Sequence, residues 1–318
     1  MTDVVVTDAT FPDVVAEAGA AEARGASFFR ASCRSAEEVA DAVRGARVAV
    51  VQFAPLSREA IAGLAPGATV IRYGVGYDNF DLAALKEHGV QAAYVPDYCT
   101  EEVADHTAAM ALALLRKLPQ LDASVRRGEW AAVKVSKPLK PFRESNLGFF
   151  GFGRIAQGVR DRLAPFGFRV LAHDPWQEGK HEGVRFVDVS TLVAESDVLS
   201  LHAPATETTR GIISAEALSR MQPHAVIVNS ARGDLIVEDA LAQALTEGRI
   251  GGAALDVFGT EPLPEGSPLR SAPNLLLTPH AAWYSDAAVS RLQSLVAEEI
   301  SRALDGQPPR RPIPGTTS

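Results

Sequence analysis

The chain has 318 residues, of which 47% are hydrophobic and 22% charged, a globular composition with room for two domains of ordinary size. Its 31 Lys and Arg stand against 39 Asp and Glu, a formal net charge of −8 at pH 7 that argues against nucleic acid or an anionic membrane surface as partner. The opening residues MTDVVVTDATFPD lack the basic stretch and apolar core of a secretory signal, and no helical apolar run approaches the ~20 residues of a membrane span.

Short β-rich apolar runs alternate with helical patterns along the whole length, which predicts parallel sheets covered by helices on both faces. The first strands are expected at Val4–Val6, Val48–Phe53, Val70–Tyr73 and Val90–Val95, with helices such as Ser35–Arg44 between them. Thr100 reads as an N-cap, with Glu101 and Glu102 in the first turn where the helix dipole favours anions. Pro119 is expected to stop that helix near Leu118. A second series runs through Leu147–Phe150, Val170–Ala172, Val198–Leu201, Ala225–Val228, Ala253–Leu255 and Leu275–Leu277. These runs are almost continuously apolar, as strands buried on both faces are. Polar residues follow each of the later ones at once: Asp174, His202, then Asn229, Ser230 and Arg232, then Asp256, then Thr278 and His280. Ligands of open α/β sheets sit beyond the carboxyl ends of the strands, so an arginine, two aspartates and two histidines are expected at one edge of one sheet. The tail GQPPRRPIPGTTS reads as a loose terminus.

Within the second series, LGFFGFGRIA at 147–156 is an apolar strand running into Gly151-x-Gly153-x-x-Ala156 and a helix closed by Pro165 and Gly167. Gly151 would permit the tight turn, Gly153 the approach of a pyrophosphate, and Ala156 the close packing of helix on strand. The helix N-terminus would offer its N–H groups and dipole to the phosphates. Glycine-rich turns also occur in α/β proteins that bind no nucleotide. Asp174, closing the next strand, strengthens the dinucleotide reading: a carboxylate there accepts from both ribose hydroxyls and repels a 2′-phosphate, favouring NAD over NADP.

Reducing a 2-keto acid with such a cofactor needs a cation for the carboxylate, an acid for the forming alkoxide and a partner for that acid. Arg232 suits the first task through its permanent, forked charge, and His280 the second, histidine titrating near operating pH. Glu261 is the carboxylate that would fix the imidazole's tautomer and stabilise its charged form. Spacing alone does not bring these three together. However, NSARGDLIVEDAL (229–241), GGAALDVFGTEPLP (251–264) and NLLLTPHAAWYS (274–285) closely resemble signature blocks of the D-isomer-specific 2-hydroxyacid dehydrogenases. The resemblance also takes in YGVGYDNFDL (73–82), VPDYCTEEVADHT (95–107) and LHAPATETT (201–209), and so covers nearly the whole chain.

That resemblance implies an α/β fold of two doubly wound parallel-sheet domains, a Rossmann cofactor domain and a flavodoxin-like substrate domain, with an active-site cleft between them. Residues 1–96 and 286–318 would form the discontinuous substrate domain and 97–285 the NAD-binding domain, with a homodimer built through a helical arm within 101–145. The family's catalytic Arg, Glu and His fall on Arg232, Glu261 and His280, and its nicotinamide-binding Asp on Asp256. The rest of the implied cofactor site is Gly151, Gly153, Arg154, Ile155, Asp174, His202, Ala203, Pro204, Thr208, Ser230 and Ala231, with His280 facing the nicotinamide. Backbone N–H groups of Gly74, Val75 and Gly76 would hold the substrate carboxylate.

HAAWYS at 280–285 and the pattern beginning at Arg72 are most similar to the C-terminal binding protein (CtBP) branch, which implies Arg72 as a second cation and Trp283 as a wall for the substrate side chain. Arg72 could instead pair with a surface acid, and Trp283 could equally serve interdomain packing. Three departures bear on function. Phe149 and Phe150 stand where smaller aliphatics are usual, Val75 replaces the lysine of the phosphite-oxidising branch, and no appended regulatory domain is expected after the last helix. Cys33 and Cys99 have no metal-ligand or CxxC spacing, so no metal is expected and reduced thiols in a cytoplasm are. Of the other histidines, His202 is expected to shape the cofactor loop, His106 and His173 to be structural, and His88, His181 and His224 to be solvated. The expected activity is therefore an NAD(H)-dependent oxidoreductase acting on a small 2-hydroxy or 2-keto acid. Its rival is a CtBP-like NAD-sensing protein-interaction module with vestigial dehydrogenase activity.

Overall fold

The structure, a computed structural model, describes residues 2–177 and 181–316. The chain divides into two compact units, Met1–Cys99 with Ser285–Ser318, and Thr100–Tyr284. In the first unit lie β1 (Val4–Val6), β2 (Phe28–Arg30), β3 (Val48–Val51), β4 (Thr69–Arg72) and β5 (Gln91–Tyr94). They form one wholly parallel sheet in the order β2-β1-β3-β4-β5, the flavodoxin-like doubly wound arrangement with its switch point between β1 and β3. The interior strands are buried on both faces because Val, Ile and Ala occupy nearly every position. The helix Ala36–Ala42 starts at a capping box, Ser35 accepting from the Glu38 N–H and Glu38 accepting from that of Ser35. The long helix Asp286–Leu304, capped by Ser285, packs on the helix Val15–Glu22 and against β3 and β4.

This unit hides a carboxyl group. Glu17 is 0% exposed, and its Oε1 accepts from the Tyr73 hydroxyl at 2.7 Å, while Oε2 is buried with no hydrogen-bond partner. Burial pushes the Glu17 carboxyl up, against the opposing pull of the Tyr73 hydrogen bond. A carboxyl raised in the folded state contributes stability that is complete below its unfolded value and is lost as pH rises through the folded value. Gln cannot titrate but keeps the acceptor for Tyr73. The Tm of Glu17→Gln relative to wild type should therefore become more favourable from pH 4 to pH 8 in thermal melts; a pH-independent difference would refute this.

The second unit holds β6 (Asn146–Phe150), β7 (Arg169–His173), β8 (Val184–Phe186), β9 (Val198–Leu201), β10 (Val226–Asn229), β11 (Gly252–Leu255) and β12 (Leu275–Leu277). Their order, β12-β11-β10-β9-β6-β7-β8, is the Rossmann winding with a seventh parallel strand, and its switch point lies between β6 and β9. Successive residues of β6 enter opposite cores. Leu147 and Phe149 pack with the helices Thr100–Leu115 and Arg154–Leu163, and Phe150 with Leu171, Leu199 and Leu201. Phe149 meets Phe152 edge-on at 5.4 Å, so the bulk that this strand carries is absorbed by a second ring. Burying each ring contributes roughly 1.5–3 kcal/mol.

Three features depart from the sequence reading. β2 and β8 were not expected, and both are three-residue edge strands with half-exposed patterns. Pro119 does not end a helix running to Leu118. The helix Thr100–Leu115 stops earlier, Lys117 adopts a left-handed backbone (φ 50°), and Pro119 sits in the first turn of a new helix, Leu118–Arg126, where its missing N–H costs nothing. The tail is not loose through residue 316. Tyr94 N–H donates to Arg311 O, Ile313 N–H donates to Ala92 O, and Ile313 is fully buried. No helix among the described residues is long and apolar enough to cross a membrane.

Candidate active site

The carboxyl ends of β6, β7, β9, β10, β11 and β12 carry the polar residues read from the sequence. Gly151 follows β6 with φ 86°, and a Cβ there would lie 2.8 Å from Ala203 N and 2.9 Å from His202 C, so a side chain would collide with the neighbouring loop. A Cβ at Gly153, by contrast, would meet nothing within 4 Å, and no side chain caps the helix Arg154–Leu163 that starts there. The start of that ten-residue helix, with the exposed Arg154 and half-buried Ile155, therefore has neither a side-chain cap nor a Cβ in the way of a phosphate. Asp174, directly after β7, accepts from Phe152 N–H at 2.8 Å and Trp176 N–H at 2.9 Å. Two accepted bonds leave lone pairs on the carboxylate for a pair of hydroxyls. These observations fit a dinucleotide: a turn only glycine can make, an open approach to a helix N-terminus, and a pinned carboxylate at the next strand end.

Across the switch point, His202 follows β9. Desolvation pushes its imidazole down to about 3, and Nε2 lies 2.7 Å from Ser200 Oγ. Its charged form is disfavoured there, which suits a loop-shaping residue better than a proton carrier. Ala203 and Pro204 follow it, and Thr208 hydrogen-bonds Thr206 in the exposed turn beyond.

The turn after β10 is folded by Asn229, which is fully buried: Oδ1 accepts from Ala231 N–H at 3.0 Å and Nδ2 donates to Arg232 O at 2.8 Å. Ser230 Oγ lies 2.6 Å from Thr107 Oγ1 on the helix Thr100–Leu115. Asn229 and Thr278 were expected at this edge only as polar strand-end residues, and Thr107 and His106 were given no place in it, although all four lie within the family-like blocks. Arg232 is half-buried, its Nη1 donating to Ala231 O at 2.6 Å.

Glu261 and His280 come together although 19 residues separate them: His280 Nδ1 lies 2.7 Å from Glu261 Oε2, and Glu261 Oε1 accepts from Phe258 N–H at 2.9 Å. Burial pushes the Glu261 carboxyl up, but the His280 hydrogen bond and charge, the Phe258 N–H and the Arg232 charge outweigh it and hold it below the usual carboxylate range. A carboxylate that stays ionised can accept only, so the His280 Nδ1 carries the proton that faces Glu261. Asp256 is 1% exposed. Trp283 is half-buried with its ring edge-on to Tyr284 at 5.8 Å.

Arg72, Gly74, Val75 and Gly76 belong to the other unit. Arg72 ends β4, its guanidinium 5.8 Å above the Phe53 ring and donating to Tyr73 O. The same guanidinium lies against Gly74, where a Cβ would be 3.0 Å from Nη1. Among the described residues no cluster of three or more His, Cys, Asp or Glu could hold a metal ion.

Comparison with known proteins places this edge in a family context. Residues 108–282 match the family described as D-isomer specific 2-hydroxyacid dehydrogenase, NAD binding domain. The chain is 34% identical over 279 residues to a glycerate dehydrogenase from Methylorubrum extorquens, covering 86% of this chain and 87% of that one. It is 38% identical over 245 residues to a glyoxylate reductase from Korarchaeum cryptofilum, covering 76% and 74% respectively. Among solved structures, an NAD-dependent formate dehydrogenase from Staphylococcus aureus in complex with NAD superposes with a TM-score of 0.87 at 30% identity, over 97% of both chains.

Proposed function

This chain belongs to the D-isomer specific 2-hydroxyacid dehydrogenases, and we propose that it reduces a small 2-keto acid to the D-2-hydroxy acid, and reverses that step, with His280 as proton carrier. The carrying observation is the 2.7 Å bond between His280 Nδ1 and Glu261, formed one strand away from the Arg232 turn. Bound NADH supplies the hydride. Gly151, Gly153, Arg154 and Ile155 would hold its pyrophosphate and Asp174 its adenosine ribose. His202, Ala203, Pro204, Thr208, Ser230, Ala231 and Asp256 would line the remainder. Arg232 binds the substrate carboxylate and polarises the carbonyl. His280 gives the Nε2 proton to the forming alkoxide, and Glu261 stabilises the charged ring before that transfer and fixes its tautomer throughout. In the reverse direction the neutral ring takes the hydroxyl proton at the same atom.

We assign the Thr100–Tyr284 unit to the cofactor and the other to the substrate, with Arg72 and the Gly74–Gly76 turn as further carboxylate ligands and Trp283 as a wall for the substrate side chain. The chain is further assigned to the cytoplasm and to a homodimer. The dimer is supported by Leu118, Val125, Trp130 and Val133, which are 54%, 56%, 93% and 78% exposed on one stretch of chain; a sedimentation mass of a single chain would remove it. The likeness of 280–285 to the CtBP branch supports a second reading, an NAD-sensing module with vestigial activity.

Incubation with NADH and a panel of 2-keto acids separates the two readings. Turnover of at least one panel member is expected. Tight NADH binding with turnover on none would favour the module. Asp174→Ser should narrow the NADH-over-NADPH preference by about tenfold, since it removes both an acceptor for the ribose and a repulsion of the 2′-phosphate. An unchanged ratio of kcat/KM values would take Asp174 out of the ribose site.

A further inference from the structure

Three side chains link the helix Thr100–Leu115 to the turn that carries His280. His106 Nε2 lies 3.1 Å from Thr278 Oγ1, and Thr278 Oγ1 lies 2.6 Å from Asp256 Oδ1. The Asp256 carboxylate also takes the N–H of Ala281 on Oδ1 at 2.8 Å and that of Ala282 on Oδ2 at 2.9 Å. A carboxylate already collecting these two backbone donors accepts from Thr278 as well, so the single hydroxyl proton of Thr278 points to Asp256. The threonine oxygen is then left as an acceptor, and His106 donates to it through Nε2. Geometry thus orients the whole chain, from imidazole to hydroxyl to carboxylate to backbone.

What the chain holds is an unusual backbone. His280 has φ 52°, a left-handed conformation that costs a residue with a Cβ and persists only where its surroundings impose it. The restraints are those of Asp256: its carbonyl takes the His280 N–H at 2.7 Å, and its carboxylate takes the two residues that follow. His106 thus stands at the outer end of this hydrogen-bonded path from the helix to the turn, with Nε2 also 3.8 Å from Asp256 Oδ1.

We propose that His106 is a positioning residue for the reaction: by donating to Thr278 it keeps Asp256 oriented, and so keeps the left-handed turn that aims the His280 ring. This role rests on the reading of His280 as proton carrier. His106→Ala should lower kcat about tenfold to a hundredfold, with the KM for the keto acid within about threefold of wild type. The Gln amide nitrogen reaches about as far from the backbone as Nε2, so His106→Gln should recover most of the rate. Thr278→Val should reproduce the loss, and the double variant His106→Ala/Thr278→Val should be no slower than the slower single variant, because both cut one path.

An unchanged kcat in His106→Ala, a Gln variant no better than Ala, or multiplicative losses in the double variant would each overturn the proposal. If His106→Ala fails to fold, the Gln and Val variants still decide. His280→Ala is measured alongside. If it keeps its rate, the reading and the inference fall together; if it is inactive while His106→Ala is not, the inference alone falls.

Discussion

Arg232→Ala should lose about a thousandfold or more in kcat/KM for keto-acid reduction while binding NADH as wild type does. On the proposed reading the two effects separate because the pyrophosphate turn at Gly151–Gly153 and the ribose carboxylate of Asp174 are built at β6 and β7, whereas beside Arg232, after β10, only Ser230 and Ala231 would line the cofactor. Its backbone is fixed independently of its side chain, by the buried Asn229 amide that spans the turn, so truncation removes a charge and leaves the loop in place. Arg232→Lys should recover little. An ammonium restores the point charge but not the fork that grips a carboxylate through two parallel hydrogen bonds. Stopped-flow NADH oxidation and fluorescence titration of NADH measure the two quantities. Turnover retained in Arg232→Ala would take this residue out of the mechanism.

Gly233→Ala should also be severely damaging, for a different reason. A Cβ at Gly233 would sit 1.9 Å from Phe258 C and 2.3 Å from Gly259 N, both backbone atoms of the turn that leads to Glu261. No rotamer relieves a clash with main chain, so one of the two turns must move. Overpacking of this kind costs about 3 kcal/mol, which in a unit of this size lowers Tm by roughly 6–12 °C. The displacement falls on both the Arg232 turn and the Glu261–His280 pair, so kcat should drop at least about a hundredfold. Gly266→Ala is the control, since a Cβ there meets nothing within 4 Å. Equal melting temperatures for the two variants would contradict the close approach.

Much of this fold is legible in the sequence because parallel strands covered on both faces are written as uninterrupted apolar runs. VLSL at β9 and LLL at β12 coincide with the expected bounds. The same rule explains what is hidden. FFR and VRF form edge strands only because a neighbour supplies half of their hydrogen bonds, and three residues with an exposed centre carry no periodicity to detect. Pro119 misleads for a related reason: proline forbids a helix interior but suits a first turn, and only the left-handed Lys117 decides between the two. The buried ends of the tail owe their order to pairing with β5, a partner more than two hundred residues earlier.

The site divides in the same way. Polar residues at strand ends are visible in sequence, as is the glycine turn. The pairing of Glu261 with His280 needed the family blocks, because a loop of that length has no spacing rule. The links from Asn229 to Arg232 and from His106 to Thr278 depend on side-chain direction and lay beyond either kind of evidence.

Arg232, Glu261 and His280 follow three neighbouring strands, β10, β11 and β12, inside one uninterrupted stretch of chain that also contains the glycine turn. On the proposed reading, the acid–base groups are therefore inherited as a block. On that reading, variation within residues 1–99 leaves the proposed proton-handling groups unshifted against one another, so the two compact units are separable targets for evolution and for grafting.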